Sequence, residues 1–196
     1  PIIIPPRPPR PTLSPSSAAS DVYKRQEAHR ARAAAFLITT TEGAALHLRR
    51  LQERADDFDP AVRDRLIAGA MLPASWVVQA HKVRRWFAAE VARLFEAVDV
   101  ILAPATPCAA PELGQATMVL GGETLNVRAN LGLFTQPISF IGLPVVAVPV
   151  WSEAPLPIGV QVIGPPWREG LVLRVAAELE RQGVATAPVA AAFRDR

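Results

Sequence analysis

The stretches NLGLFTQPISFIGLPVVAVPV at 130–150 and LPIGVQVIGPPWREGLVLRVAAELE at 156–180 decide the fold class. Valines alternate from Pro144 to Val150, and a second apolar run spans Ile158 to Ile163. Both read as short buried strands, because β-branched residues at period two suit a pleated, covered surface. Gly164-Pro165-Pro166 ends the second run, since neither residue type extends a strand ladder well. Leu171, Val172, Val175, Ala176 and Leu179 then recur at threes and fours, which predicts a helix from Arg168 to Gln182 with Gly183 as its C-terminal stop. Strands leading into an amphipathic helix indicate an α/β protein.

Working upstream, Val100-Ile101-Leu102-Ala103 is a further apolar strand, closed by the proline-rich loop from Pro104 to Pro111. Gly121-Gly122 between Met118-Val119-Leu120 and Thr124-Leu125-Asn126-Val127 predicts a hairpin. The region before it is helical. A first helix is expected from Glu27 to Arg54, broken at Thr39-Thr40-Thr41 and Gly43, which are poor helix formers. Asp59-Pro60 marks the start of a second helix reaching Met71, with Asp as the cap and Pro at the first helical position. Ser75 is expected to cap a third, reaching Val98, with Trp76, Ala80, Val83, Phe87, Val91, Leu94 and Val98 on its inner face. Residues 184–196 are Ala-rich, weakly patterned and expected to be a loose tail.

The net charge of +3 invites a nucleic-acid reading, but the charge is unevenly placed. Arg7, Arg10, Lys24 and Arg25 against Asp21 account for all of it, and the rest of the chain is neutral. No basic footprint for phosphate remains. No apolar run is long enough to span a membrane and no secretory leader is present, so neither a membrane nor a nucleic-acid partner is expected, and a cytoplasmic location is. The single cysteine excludes an internal disulfide.

Residues 1–26, PIIIPPRPPRPTLSPSSAASDVYKRQ, have no helical or strand period. The segment SSAASDVYKRQ at 16–26 resembles the translation of a transposase-type sequencing adapter. Residues 1–26 are therefore expected to be adapter-derived, and the natural protein to continue upstream of Glu27. The remaining organisation is one partial domain over 27–183, helical to 98 and then strands with the final helix. Few strands and many apolar helical faces independently suggest an incomplete sheet.

Three stretches carry a family resemblance: VDVILAPATPCAAP at 98–111, followed by the two quoted above. In order they give a strand with a Pro-Thr-Pro loop, an aromatic-Thr-x-Pro turn, a Gly-Leu-Pro strand and a Gly-x-Gln-x-Ile-Gly strand leading into a helix. The set resembles the C-terminal part of amidase signature enzymes. AAAFLITTTEGAALHLRRL at 33–51 and DFDPAVRDRLIAGAMLPASWVVQAHKVRRWF at 57–87 resemble its 1-carboxybiuret hydrolase-like branch. The resemblance implies an α/β/α sandwich with a mixed sheet, incomplete in this chain. It implies hydrolysis of a carboxamide C–N bond of a small substrate by a Ser–cis-Ser–Lys triad, without metal or other cofactor. An amide is a poor electrophile, so it needs an activated nucleophile and donors aimed at the developing oxyanion. The family's lysine and Gly/Ser-rich loop belong to its N-terminal half. The only lysines here are Lys24 and Lys82, and no serine lies in such a loop, so no catalytic residue is assigned. Possible partners are the missing N-terminal half, a second copy and a small accessory subunit. The alternative is an amidase-like binding or regulatory subunit without chemistry.

The resemblance places part of the substrate pocket before the Gly-Leu-Pro strand. Gln136, Thr135 and Asn130 are candidates for it, each with the alternative of turn hydrogen bonding. Arg128 could pair with a substrate carboxylate or stand as a solvated charge. Thr106 could reach the pocket or merely shape its loop. Cys108 reads as a small loop filler, because His29, His47 and His81 are all remote in sequence. The same histidines have no ligand spacing, so no metal site is predicted. Trp76, Trp86, Trp151 and Trp167 are expected to pack, and Gln161 is a strand amide that needs partners if buried.

Overall fold

A computed structural model describes residues 27–151 and 156–188. The expected adapter segment 1–26 lies outside the described residues, as does 189–196 of the expected tail. Helix α1 spans Glu27–Arg54, a 3-10 turn follows at Ala55–Asp57, and helices α2 (Pro60–Ala70) and α3 (Ala74–Leu94) complete the helical part. Then come strand β1 (Ile101–Pro104), the hairpin β2 (Thr117–Leu120) and β3 (Glu123–Asn126), short helices α4 (Val127–Asn130) and α5 (Gln136–Ile141), strands β4 (Val145–Val150) and β5 (Ile158–Ile163), and helix α6 (Glu169–Arg181).

The main sheet has the order β1-β5-β4, and both of its pairings are antiparallel. Strand alternation sends successive β5 residues to opposite faces. Ile163 joins Ile101, Ala103 and Ile138 in a cluster that Leu94, Phe95 and Val98 cover. Its neighbour Val162 joins Val148, Val172 and Ala185 beneath α6. The sheet is thus enclosed by α6 on one face and by α5 with the end of α3 on the other, an α/β/α arrangement. A third cluster, built on Ala31, Ala34, Ala35, Ile38, Ala80, Phe87, Val91 and Phe140, binds α1, α3 and α5 together. Burial of these apolar side chains is the main stabilising term, at about 1.5–3 kcal/mol for each large one.

Several local expectations hold. Asp59 caps α2, its carboxylate accepting from the Ala61 N–H at 2.9 Å. Gly121 and Gly122 both take positive φ, 60° and 85°, in the two-residue turn joining Leu120 to Glu123. That geometry matches the strand twist and requires residues free of a Cβ penalty. The Gly183 N–H bonds Glu180 O at the end of α6.

Others are corrected. Helix α1 runs unbroken through Thr39–Thr41 and Gly43. The hydroxyls of Thr39 and Thr41 bond back to the Ala35 and Leu37 carbonyls at 2.9 Å each, so they compete little with the helix. Gly43 sits where α2 approaches: a Cβ there would stand 2.8 Å from Leu66 Cδ2. Ser75 lies inside α3 rather than capping it, and Trp76 is 55% exposed, outside the inner face. Trp167 does not cover the core either. It is 90% exposed with φ of 63°, while Trp151 uses its indole N–H to bond Thr186 O at 2.8 Å. Of the expected tail, Ala185 is buried against Val148 and Val172.

Candidate functional site

The segment after the hairpin is built from short caps. Asn126 accepts from the Ala129 N–H at 2.9 Å and turns strand β3 into α4. Thr135 heads α5, its carbonyl accepting from the N–H groups of Ile138 and Ser139. Pro137 stands in the first turn of α5, where its missing N–H costs nothing. The Thr135 side chain makes no capping bond.

Gln161 fixes this segment from below. It is 2% exposed, and its amide nitrogen donates to Pro104 O at 2.8 Å and to Phe134 O at 3.3 Å. One buried amide therefore ties the end of β1 to the residue before Thr135. Thr106, just beyond β1, donates to Cys108 O at 2.7 Å, which is the loop-shaping role. The Cys108 thiol lies 3.6 Å from Met118 Sδ, packing as a small filler.

From above, the segment is held by a residue that the sequence did not single out. Arg32, on α1, donates through Nε to Gln136 Oε1 at 3.2 Å and through Nη2 to Asn130 Oδ1 at 3.2 Å and to Ala129 O. Arg32 is 104 residues from Gln136 in the chain, and helical patterning marks it only as a polar position. No local signal could have found it.

These contacts form one wall of an open cleft of about 620 Å³, lined by His29, Arg32, Phe36, Arg65, Arg128 and Gln136 among others. Of the sequence candidates, Arg128 and Gln136 line the cleft. Asn130 stands behind Arg32, and its own amide nitrogen bonds Asn126 O at 2.9 Å. Thr135 and Thr106 are not among the lining residues. Arg65 is stacked over Phe36 at 5.1 Å from the ring centroid. Arg128 pairs with Asp59 at 3.3 Å across the rim, an exposed contact worth little in water. Among the described residues no carboxylate lines the cleft, no group of three metal-ligating side chains gathers, and no helix is long and apolar enough to cross a membrane. Lys82 is exposed on α3. Chemically, the cleft can bind and orient a small polar molecule, and no serine, cysteine or lysine stands among its described lining residues.

Comparison with known proteins agrees with this architecture. The family model described as "Amidase" matches residues 3–173. AtzE, a 1-carboxybiuret hydrolase subunit of Pseudomonas sp. (strain ADP), is 43% identical over 169 residues, covering 85% of this chain and 37% of that protein. A glutamyl-tRNA(Gln) amidotransferase subunit of Halalkalibacterium halodurans is 33% identical, over 66% of this chain and 27% of that one. A chain of a solved, inhibitor-bound vestigial protein complex that reveals the evolutionary origins of an s-triazine catabolic enzyme superposes with a TM-score of 0.81 at 39% identity, over 89% of this chain and 40% of that chain. A crystal structure of an amidase superposes with a TM-score of 0.71 at 28% identity, over 86% and 36%. The chain thus spans less than half the length of the relatives it matches.

Proposed function

Since the chain belongs to the amidase family, we propose that it is the C-terminal part of an enzyme that hydrolyses the carboxamide C–N bond of a small substrate. In this reading the rest of the protein supplies a Ser–cis-Ser–Lys triad and an oxyanion hole. This chain supplies packing and one wall of the substrate pocket, through Gln136 and Arg128 with Asn130, Thr135 and Thr106 behind or beside them. In that triad a neutral lysine accepts the proton of the first serine, which in turn takes the proton of the second as it attacks the carbonyl carbon; the C–N bond then breaks, the amine leaves with the proton returned from the lysine, and water releases the acyl group. The observation that supports this most is the cleft between α1, α2 and the 128–136 segment, to which the motif-bearing stretch contributes Gly132 and Gln136. Likeness to a 1-carboxybiuret hydrolase component favours a compact substrate rich in carbonyl and N–H groups. Likeness to members of multi-subunit assemblies favours, as partner, a second copy or a small accessory subunit. A cytoplasmic setting and residues 1–26 as adapter-derived belong to the same proposal.

The test is to recover the reading frame upstream of Glu27 from source DNA prepared without that adapter, and to assay the extended protein for ammonia release from small amides. The expected result is a frame encoding a lysine and then a Gly/Ser-rich loop, hydrolysis by the extended protein, and none by residues 27–196 alone. Turnover by 27–196 alone refutes the reading. A stop codon directly upstream favours the non-catalytic binding subunit instead.

A further inference from the structure

We infer that the free edge of strand β4, with the groove beside it along α6, is the docking surface for a second copy of this chain, paired antiparallel about a two-fold axis at Val146. The inference takes up the second copy named above as a partner and does not depend on amide hydrolysis. It begins with the backbone. Among the described residues, strand β4 has one neighbour in the sheet, β5. The Gly164 N–H bonds Pro144 O at 3.0 Å, which fixes the bonded positions of that pairing. In an antiparallel ladder bonded and non-bonded positions alternate. Val146, Val148 and Val150 therefore turn their backbone groups to their β5 partners Val162, Val160 and Ile158. Val145, Ala147 and Pro149 turn theirs outward. Pro149 fits there because it has no N–H to leave unpaired. Unpaired backbone groups on such an edge are a template for another strand.

This edge is complementary to itself. With the axis at Val146, Val145 of each copy faces Ala147 of the other, and each such pair exchanges N–H···O=C bonds in both directions. Pro149 ends the ladder, so side chains must hold the rest. Beside the edge lies a groove of about 340 Å³, lined by Val146, Val148, Leu173, Ala176, Ala177 and Glu180 among others. Helix α6 runs along β4 in the same direction, because Val172 lies against Gly164 at one end and Ala185 against Val148 at the other. The same axis therefore sets α6 antiparallel to its mate. The exposed Leu173 of one copy enters the groove at Ala177 of the other, where alanines let the helices approach closely. Arg168, at the start of one α6, then meets Glu180, at the end of the other. Both are exposed, and neither makes an ion pair among the described residues. The helix N-terminus adds to the attraction for Glu180. This charge match favours a second copy over an unrelated strand. The opposite edge, β1, runs into the 104–108 loop beside the candidate site and is left for a sheet that continues into the rest of the domain.

The experiment is analytical ultracentrifugation of the 196-residue chain over a concentration series, with far-UV ellipticity as the check on folding. The chain is expected to form a dimer. Ala147→Pro removes an outward N–H and leaves the β4–β5 bonds in place, so it should weaken association at least about tenfold with ellipticity unchanged. Leu173→Lys puts a charge into the groove and should weaken association by at least about as much; it decides the matter alone if Ala147→Pro disturbs the fold. Glu180→Arg sets like charges against each other and should weaken the dimer, and Arg168→Glu added to it should restore association. A chain that stays monomeric up to about 100 μM overturns the inference. So does a dimer that survives Leu173→Lys at full strength, or association that grows past the dimer. Failure of Arg168→Glu to rescue Glu180→Arg overturns the antiparallel two-fold arrangement. None of these readings needs turnover, so they are separate from the amide-hydrolysis assay.

Discussion

Helices α1 and α2 cross at Gly69, and the substitution Gly69→Ala tests that crossing. A Cβ at position 69 would lie 2.3 Å from the Thr40 carbonyl oxygen and 2.7 Å from both its carbon and Cγ2. Backbone cannot rotate aside, so restoring ordinary contact requires the helices to part by about 1 Å. Separation loosens the seam around Thr40 and Leu66, which are 2% and 6% exposed. Overpacking of this kind costs about 1–3 kcal/mol, against roughly 1 kcal/mol gained from replacing Gly in a helix interior. The net expectation is a loss of up to about 2 kcal/mol. Gly43→Ala on the facing helix is the internal control. Its Cβ would meet only Leu66 Cδ2, at 2.8 Å, the movable end of a side chain. There the helix-propensity gain roughly balances the contact, and stability should stay within about 0.5 kcal/mol of the parent. The assay is urea unfolding of the chain followed by far-UV ellipticity, with the slope checked for constancy. The reasoning fails if Gly69→Ala is as stable as Gly43→Ala.

Three further outcomes can be checked with similar means. The Thr40 hydroxyl is buried without a hydrogen-bond partner among the described residues, so Thr40→Val should raise stability by about 1 kcal/mol in the same unfolding assay. Gln161→Leu removes the bonds to Pro104 O and Phe134 O, and a loss of about 1–3 kcal/mol is expected, with the largest chemical-shift changes at 104–106 and 134–136. Glu178 is held below the ordinary glutamate value by its hydrogen bond from Arg181 and then by that from Gln182. A lowered folded value means the contribution exists above the unfolded pKa and is lost as pH falls through the folded one. An NMR titration should therefore place the Glu178 midpoint on the acid side of a free glutamate peptide, and Arg181→Ala should move it back up.

The strands and the final helix are legible in sequence because their signals are local. Alternating valines, a Gly-Gly turn needing two positive φ angles, and Asp-Pro at a helix start each act within a few residues. The expected break in α1 does not occur because propensity at Thr39–Gly43 is weak and tertiary contact overrides it. Those threonines bond back along their own helix, and the glycine makes room for Leu66 on another. The exposed Trp76 and Trp167 mark the same limit, since apolarity alone does not say which face finds a partner.

For the site, the turns of the 126–142 segment are legible locally, because Asn126, Pro137 and Gly142 set them. Sequence could rank Gln136 and Arg128 as candidates from residue type alone. Only the tertiary structure decided that Arg32 holds Gln136, Asn130 and Ala129. It also decided that Gln161 joins Pro104 to Phe134, and that Thr106 turns inward on its own loop. The physical reason is that a hydrogen bond between residues about a hundred positions apart depends on how α1 packs against α5 through Ala31, Ala35 and Phe140. That packing is settled by the summed burial of many small side chains, not by any residue near the bond.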